Sequence, residues 1–125
     1  MEYTGSDIFG EMKYIYGWVK PSEITMGGEK YNILIEAVSK QYQDITPEQE
    51  EGYKDYTDHA DIYSKELEKA LTSTPSIMDG KFKPIGVRFE RDGSFGFVLE
   101  STIDGSVKCF YKLKPNPGFE DLLVV

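Results

Sequence analysis

Between Asp44 and Asp61 the chain carries seven carboxylates and one lysine. Residues 62–125 hold acids and bases in equal number, so most of the net charge of −8 lies in those eighteen residues. Charge of one sign concentrated this way steers encounter with partners of the opposite sign and raises association rates. The other reactive side chains do not gather. One His and one Cys, His59 and Cys109, cannot fill a four-ligand zinc site without two carboxylates, and no ligand spacing surrounds them. Asp55, Asp58 and Asp61 sit three apart, which on a helix spreads them over about 120° instead of wrapping a calcium ion. A Cys109–His59 dyad needs two distant segments to meet, and Cys109 alternates with inward positions of a strand, where a thiol behaves as a small hydrophobe. Glu36 and Glu100 are carboxylates within strands, and solvent-facing alternation accounts for both. No catalytic constellation emerges, and the expectation is a non-enzymatic chain without metal or cofactor; a hydrolytic carboxylate pair would rest only on the number of acids.

Other ligand classes are bounded in the same way. A net charge of −8 disfavours direct nucleic-acid binding, which depends on Lys and Arg neutralising phosphates. Lys108, Lys112 and Lys114 make only a modest cluster, of the kind that discourages strand edges from pairing. Gly93-Ser94-Phe95-Gly96 lies within a hairpin, not between a strand and a helix, so it lacks the helix N-terminus of a phosphate loop. No run approaches the roughly 20 apolar residues of a membrane span, and the N-terminus has no signal-peptide pattern. With its lone cysteine, the chain is expected to be cytoplasmic.

The elements that must position these residues follow from periodicity. A length of 125 residues with 17 aromatics predicts one domain, 1–125, with its own core. Glu11 to Val19 reads as a strand with Met12, Tyr14, Tyr16 and Trp18 on one face, ended by Lys20-Pro21-Ser22. Met26-Gly27-Gly28-Glu29 is a turn into a second strand, Lys30 to Val38, so the two make a hairpin with a wide connection. Thr46-Pro47-Glu48-Gln49 is a capping box with proline at the first helical position. Beyond it, Tyr53, Tyr56, Ala60, Tyr63, Leu67 and Ala70 form one buried stripe of about 100°. The helix should run from Pro47 to about Leu71, unbroken or mildly bent near Thr57-Asp58, and Thr72-Ser73-Thr74-Pro75 stops it. Asp-Gly pairs at Asp79-Gly80, Asp92-Gly93 and Asp104-Gly105 then border three strands, Pro84 to Glu90, Ser94 to Glu100 and Ser106 to Leu113. Their inward faces are Ile85, Val87 and Phe89; Phe95, Phe97 and Leu99; and Val107, Cys109, Tyr111 and Leu113. The apolar tail from Phe119 to Val125 should dock on the body. The predicted fold is α+β: a mostly antiparallel five-stranded sheet, β-β-α-β-β-β, with one long helix packed across one face.

Two surfaces of that fold are candidates for binding. The first is the helix face carrying Asp44, Glu48, Glu51, Asp55, Asp58 and Glu66 around Ile62, which points about 130° from the buried stripe. A lone exposed isoleucine is ordinary, yet an apolar anchor ringed by charge is also how a binding hot spot is built. The second is the Tyr14, Tyr16, Trp18 face. Exposed, it would stack a sugar or another small molecule; buried, it is the aromatic floor beneath Tyr53, Tyr56 and Tyr63.

The segment Ile45-Thr46-Pro47-Glu48-Gln49 leading into the helix, and Gly86 through Glu100 with its Asp-Gly-Ser-Phe-Gly-Phe turn, resemble small bacterial immunity proteins. These neutralise toxin domains of contact-dependent growth inhibition and related polymorphic toxin systems. The two segments cover about a quarter of the chain and are motifs of fold, so they assign no residue roles. The resemblance implies a tight protein partner, a cognate toxin and commonly a basic nuclease, whose active site meets an acidic surface.

Overall fold

A computed structural model describes residues 3–6, 8–40, 44–73, 82–102, 107–114, 117–119 and 123–124. The fold is α+β. The chain runs β1 (Tyr3–Ser6), β2 (Gly10–Tyr14), β3 (Trp18–Met26), β4 (Glu29–Ala37), α1 (Pro47–Asp58), α2 (Ala60–Ser73), β5 (Phe82–Phe89), β6 (Phe95–Ser101), β7 (Val107–Lys114), β8 (Gly118–Phe119) and β9 (Leu123–Val124). One mixed sheet follows chain order from β1 to β8, with β9 also pairing β7. Six strands, β2 to β7, have five or more residues. The β4–β5 pair is parallel, Leu34 to Ala37 against Gly86 to Phe89, because the two helices carry the chain back across the sheet; the other pairings are antiparallel.

The sheet departs from the five strands expected. The run from Glu11 to Val19 is not one strand: it breaks at Ile15-Tyr16-Gly17, and β3 begins at Trp18. Gly17 permits the break, since a Cβ there would lie 3.2 Å from the Ala37 carbonyl oxygen and 3.3 Å from Glu36 Oε2. Nor does Pro21 end the strand. Pairing of β3 with β2 reaches only Trp18 and Val19, so Pro21 lies on an edge stretch that needs no amide donor. The connection to β4 is also tight, not wide: Met26 pairs Glu29, and Gly27 and Gly28 take φ of 59° and 83° in a two-residue turn.

The single long helix is two. Its capping box forms as the sequence predicts, with Gln49 N–H donating to Thr46 Oγ1 at 3.1 Å and Thr46 N–H to Gln49 Oε1 at 2.9 Å. The interruption falls at His59, whose φ of −129° and ψ of 26° leave the helical region. Thr57, Asp58 and His59 are weak helix formers in succession, and Thr57 Oγ1 donates back to the Lys54 carbonyl. The buried stripe continues across the break: Tyr56, Tyr63, Leu67 and Leu71 are buried, with Tyr53, Ala60 and Ala70 packed beside them.

These side chains meet one face of the sheet. Phe89, Phe95, Phe97, Leu99, Cys109, Tyr111 and Leu113 are buried beneath the helices as expected. Ile85 is not an inward position. The register slips between Pro84 and Gly86, so Phe82 and Pro84 turn inward and Ile85 bulges outward. Phe9, in the β1–β2 connection, adds to the core by stacking on Tyr53 with ring centroids 4.3 Å apart. In the tail, β8 and β9 pair β7. α2 continues through Thr72 and Ser73, so these two do not stop the helix. Thr74 and Pro75, the turns at Asp79-Gly80 and Asp104-Gly105 and the tail residues 120–122 and 125 lie outside the described residues. No helix among those described is long and apolar enough to cross a membrane.

Candidate partner-binding surface

The start of α1 is fixed by one buried amide. Gln49 is fully buried, and its Nε2 donates to the carbonyl oxygens of Val38 at 2.9 Å and Phe89 at 3.0 Å. Those carbonyls lie at the C-terminal ends of the parallel strands β4 and β5. One side chain therefore closes the helix cap and ties it to the sheet. Around it, Thr46 Oγ1 donates to the Arg91 carbonyl, and Arg91 Nη1 donates to the carbonyls of Asp44 at 2.7 Å and Val38 at 3.3 Å.

This anchoring aims the acidic side of α1 at the β5–β6 turn. Glu48, Glu51 and Asp55 line a cleft of about 370 Å³ with Asp92, Ser94 and Lys114. Asp92 is committed to the turn: its Oδ1 accepts from Ser94 N–H and Ser94 Oγ, and those bonds hold its carboxyl below the usual range. Lys114, at the end of β7, places one cation on the rim of an otherwise acidic opening.

The break at His59 divides the predicted surface. Asp58 and Ile62 line a second hollow, of about 340 Å³, together with Thr57, His59, Ala60 and Asp61. Ile62 is 62% exposed, more than any other large hydrophobic side chain among the described residues. Asp55 stands at the junction and is engaged from both sides. Tyr63 Oη donates to its Oδ1 at 2.9 Å, and His59 Nδ1 lies 3.0 Å from the same oxygen. Burial, with the Asp55 hydrogen bond and charge behind it, pushes the Tyr63 phenol up to about 12.

The remaining predicted residues lie apart. Asp44 is exposed ahead of the helix, where its backbone carbonyl accepts from Arg91, and it does not line the cleft. Glu66 does not share the open surface. It is half-buried, its Oε2 is buried without a hydrogen-bond partner, and its charge adds to burial in raising the Tyr111 phenol. Asp92, Ser94 and Lys114 were not expected at this surface; the Asp-Gly-Ser turn was legible, but not its position against α1.

The aromatic face of the alternative reading is not assembled. The break at Ile15–Gly17 leaves Tyr16 57% exposed, while Trp18 is buried at 5% and meets the half-buried Tyr14 edge-on at 5.0 Å. Tyr14 Oη donates to the Ser39 carbonyl. Trp18 is therefore core, not a stacking platform. Cys109 is fully buried, burial raises its thiol to about 11, and His59 is exposed on Asp55. Among the described residues no group of three or more His, Cys, Asp or Glu side chains is placed to hold a metal ion.

No known protein family, curated protein or solved structure matches this chain.

Proposed function

We propose that this chain is a non-enzymatic binding protein of the immunity class, acting in the cytoplasm to neutralise a cognate toxin domain that is basic and of the nuclease type. The observation that supports it is the exposure of Ile62 at the helix break, in a hollow that Asp58 and Asp61 also line, on the helix that directly follows α1 with its Glu48, Glu51, Asp55 cleft. The carboxylates supply long-range attraction, and Ile62 supplies apolar area for the contact itself. Asp55 is a poor residue for testing this, because it holds His59 and Tyr63; Glu51, Asp58 and Ile62 are exposed and serve better.

The test is affinity capture from lysate of the source organism, eluted over a salt gradient, run in parallel with wild type and the Glu51→Lys/Asp58→Lys/Ile62→Asp variant. A basic toxin domain held near stoichiometry by wild type, and released at much lower salt by the variant, is the expected result. Equal retention by both would remove this surface from the reading. Failure of wild type to retain any basic protein would count against the immunity role itself.

A further inference from the structure

The face of the sheet turned away from the helices carries a pattern that the acidic surface does not use. Cross-strand register places Leu34, Val98 and Phe110 in one row, with Ile85 bulged into it beside Gly86. Leu34 is 40% exposed, and with Tyr16, Ile85 and Val98 it borders a shallow hollow of about 90 Å³. Charged rows flank this apolar row. On one side Glu36, Arg88, Gly96 and Lys112 are in register; on the other, Lys83, Glu100 and Lys108.

We propose that this face pairs with the same face of a second copy, about a twofold axis running along the strands between β5 and β6. In that arrangement Glu36 falls opposite the partner's Lys112, and Lys83 opposite the partner's Glu100. Leu34 meets the partner's Phe110, Ile85 meets the partner's Val98, and Arg88 lies over the partner's Gly96. Two other placements set like charges together. An axis over β5 sets Arg88 on Arg88 and Lys83 on Lys83. An axis across the strands sets Arg88 on Lys83 and Lys112 on Lys108. The axis between β5 and β6 also lays all four strands, β4 to β7, on their counterparts, so area and charge favour the same isologous arrangement.

The area sets the strength. Four strands about 4.8 Å apart and three rows about 7 Å apart span about 400 Å² in projection, against about 800 Å² per partner in a standard interface. Glu100 already lies 4.0 Å from Lys83 and 3.8 Å from Lys108 within one chain, so pairing extends a three-charge cluster into one of six. The dimer is therefore weak and concentration-dependent, and salt weakens it further.

Sedimentation equilibrium of the purified full chain from about 10 μM to about 1 mM tests this. Wild type should show a monomer–dimer equilibrium that salt shifts toward monomer. Lys112→Glu and Glu36→Lys should each weaken it at least about tenfold. An equimolar mixture of the two variants should associate again, because every cross-pair is then of opposite charge. Far-ultraviolet circular dichroism and Trp18 emission verify that each variant is folded. A wild-type chain that stays monomeric at about 1 mM overturns the proposal. So does a dimer that Lys112→Glu leaves intact, or two folded variants that do not associate when mixed.

Discussion

Gly52 of α1 and Gly93 of the β5–β6 turn meet backbone to backbone. A Cβ on Gly52 would lie 2.8 Å from the Gly93 carbonyl oxygen, and one on Gly93 would lie 2.9 Å from that of Glu48. This contact sets the depth of the cleft between the acidic helix and the turn. It also explains a glycine in mid-helix, a position that costs about 1 kcal/mol relative to alanine.

Gly52→Ala should therefore destabilise the protein, although alanine favours helix. The added methyl also sits 3.3 Å from the rings of Phe89 and Phe95, and overpacking of that kind costs about 1–3 kcal/mol. A net loss of about 1–2 kcal/mol is expected, read as a lower urea midpoint at unchanged slope. A gain in stability would mean that the turn yields freely to the helix.

Replacements at Gln49 should separate its two roles. Gln49→Leu removes the cap acceptor and both bonds to the strand ends, a loss of about 2–4 kcal/mol. Gln49→Glu keeps an acceptor for Thr46 but turns a carboxylate toward the carbonyls of Val38 and Phe89. Burial and those oxygens would raise its folded-state pKa, so its stability is highest below the ordinary carboxylate range and falls as pH rises. Unfolding of this variant across acid and neutral pH checks the sign.

Alkaline titration should single out two phenols. Burial raises Tyr56 and Tyr63 to about 12 from the ordinary 10. Since the folded values lie above the unfolded ones, the folded chain holds both protons longer. Their contribution to stability is intact below pH 10 and is lost as pH rises toward about 12. Absorbance of phenolate followed beside circular dichroism should show these two ionising together with unfolding. Tyr63→Phe, which removes one of the two partners of Asp55 Oδ1, should leave one such phenol.

Trp18 provides an optical check on the core. Buried at 5% with Tyr14 edge-on, it should emit at short wavelength and resist acrylamide in the native state. Ready quenching, or quenching by added sugars, would return the aromatic strand to the surface.

What the sequence disclosed was mostly local. Thr46 and Gln49 announce a cap because both partners lie within four residues, and Phe95, Phe97 and Leu99 reveal their face by alternation alone. Pro21 misleads because its tolerance depends on where β2 stops. Ile85 misleads because a bulge changes phase without changing composition, and Gly52 is silent because its reason lies in the β5–β6 turn. The acidic surface divides the same way. Glu48, Glu51 and Asp55 share a helix face by spacing, whereas Asp92, Ser94 and Lys114 reach the cleft through the sheet. Glu66 is half-buried and near enough to Tyr111 on β7 for its charge to raise that phenol, a neighbour that helical spacing does not show.

The parallel β4–β5 pair has a consequence for how the chain assembles. On either side of it the described strands pair with near neighbours in sequence, so each side of the sheet forms from short loops that close quickly. Leu34 must find Gly86 across a much longer loop that contains both helices. Joining the two ladders should therefore be the slow step of folding, and Gln49, bonded to Phe89 at the end of β5 and to Val38 just past β4, latches the joined pair.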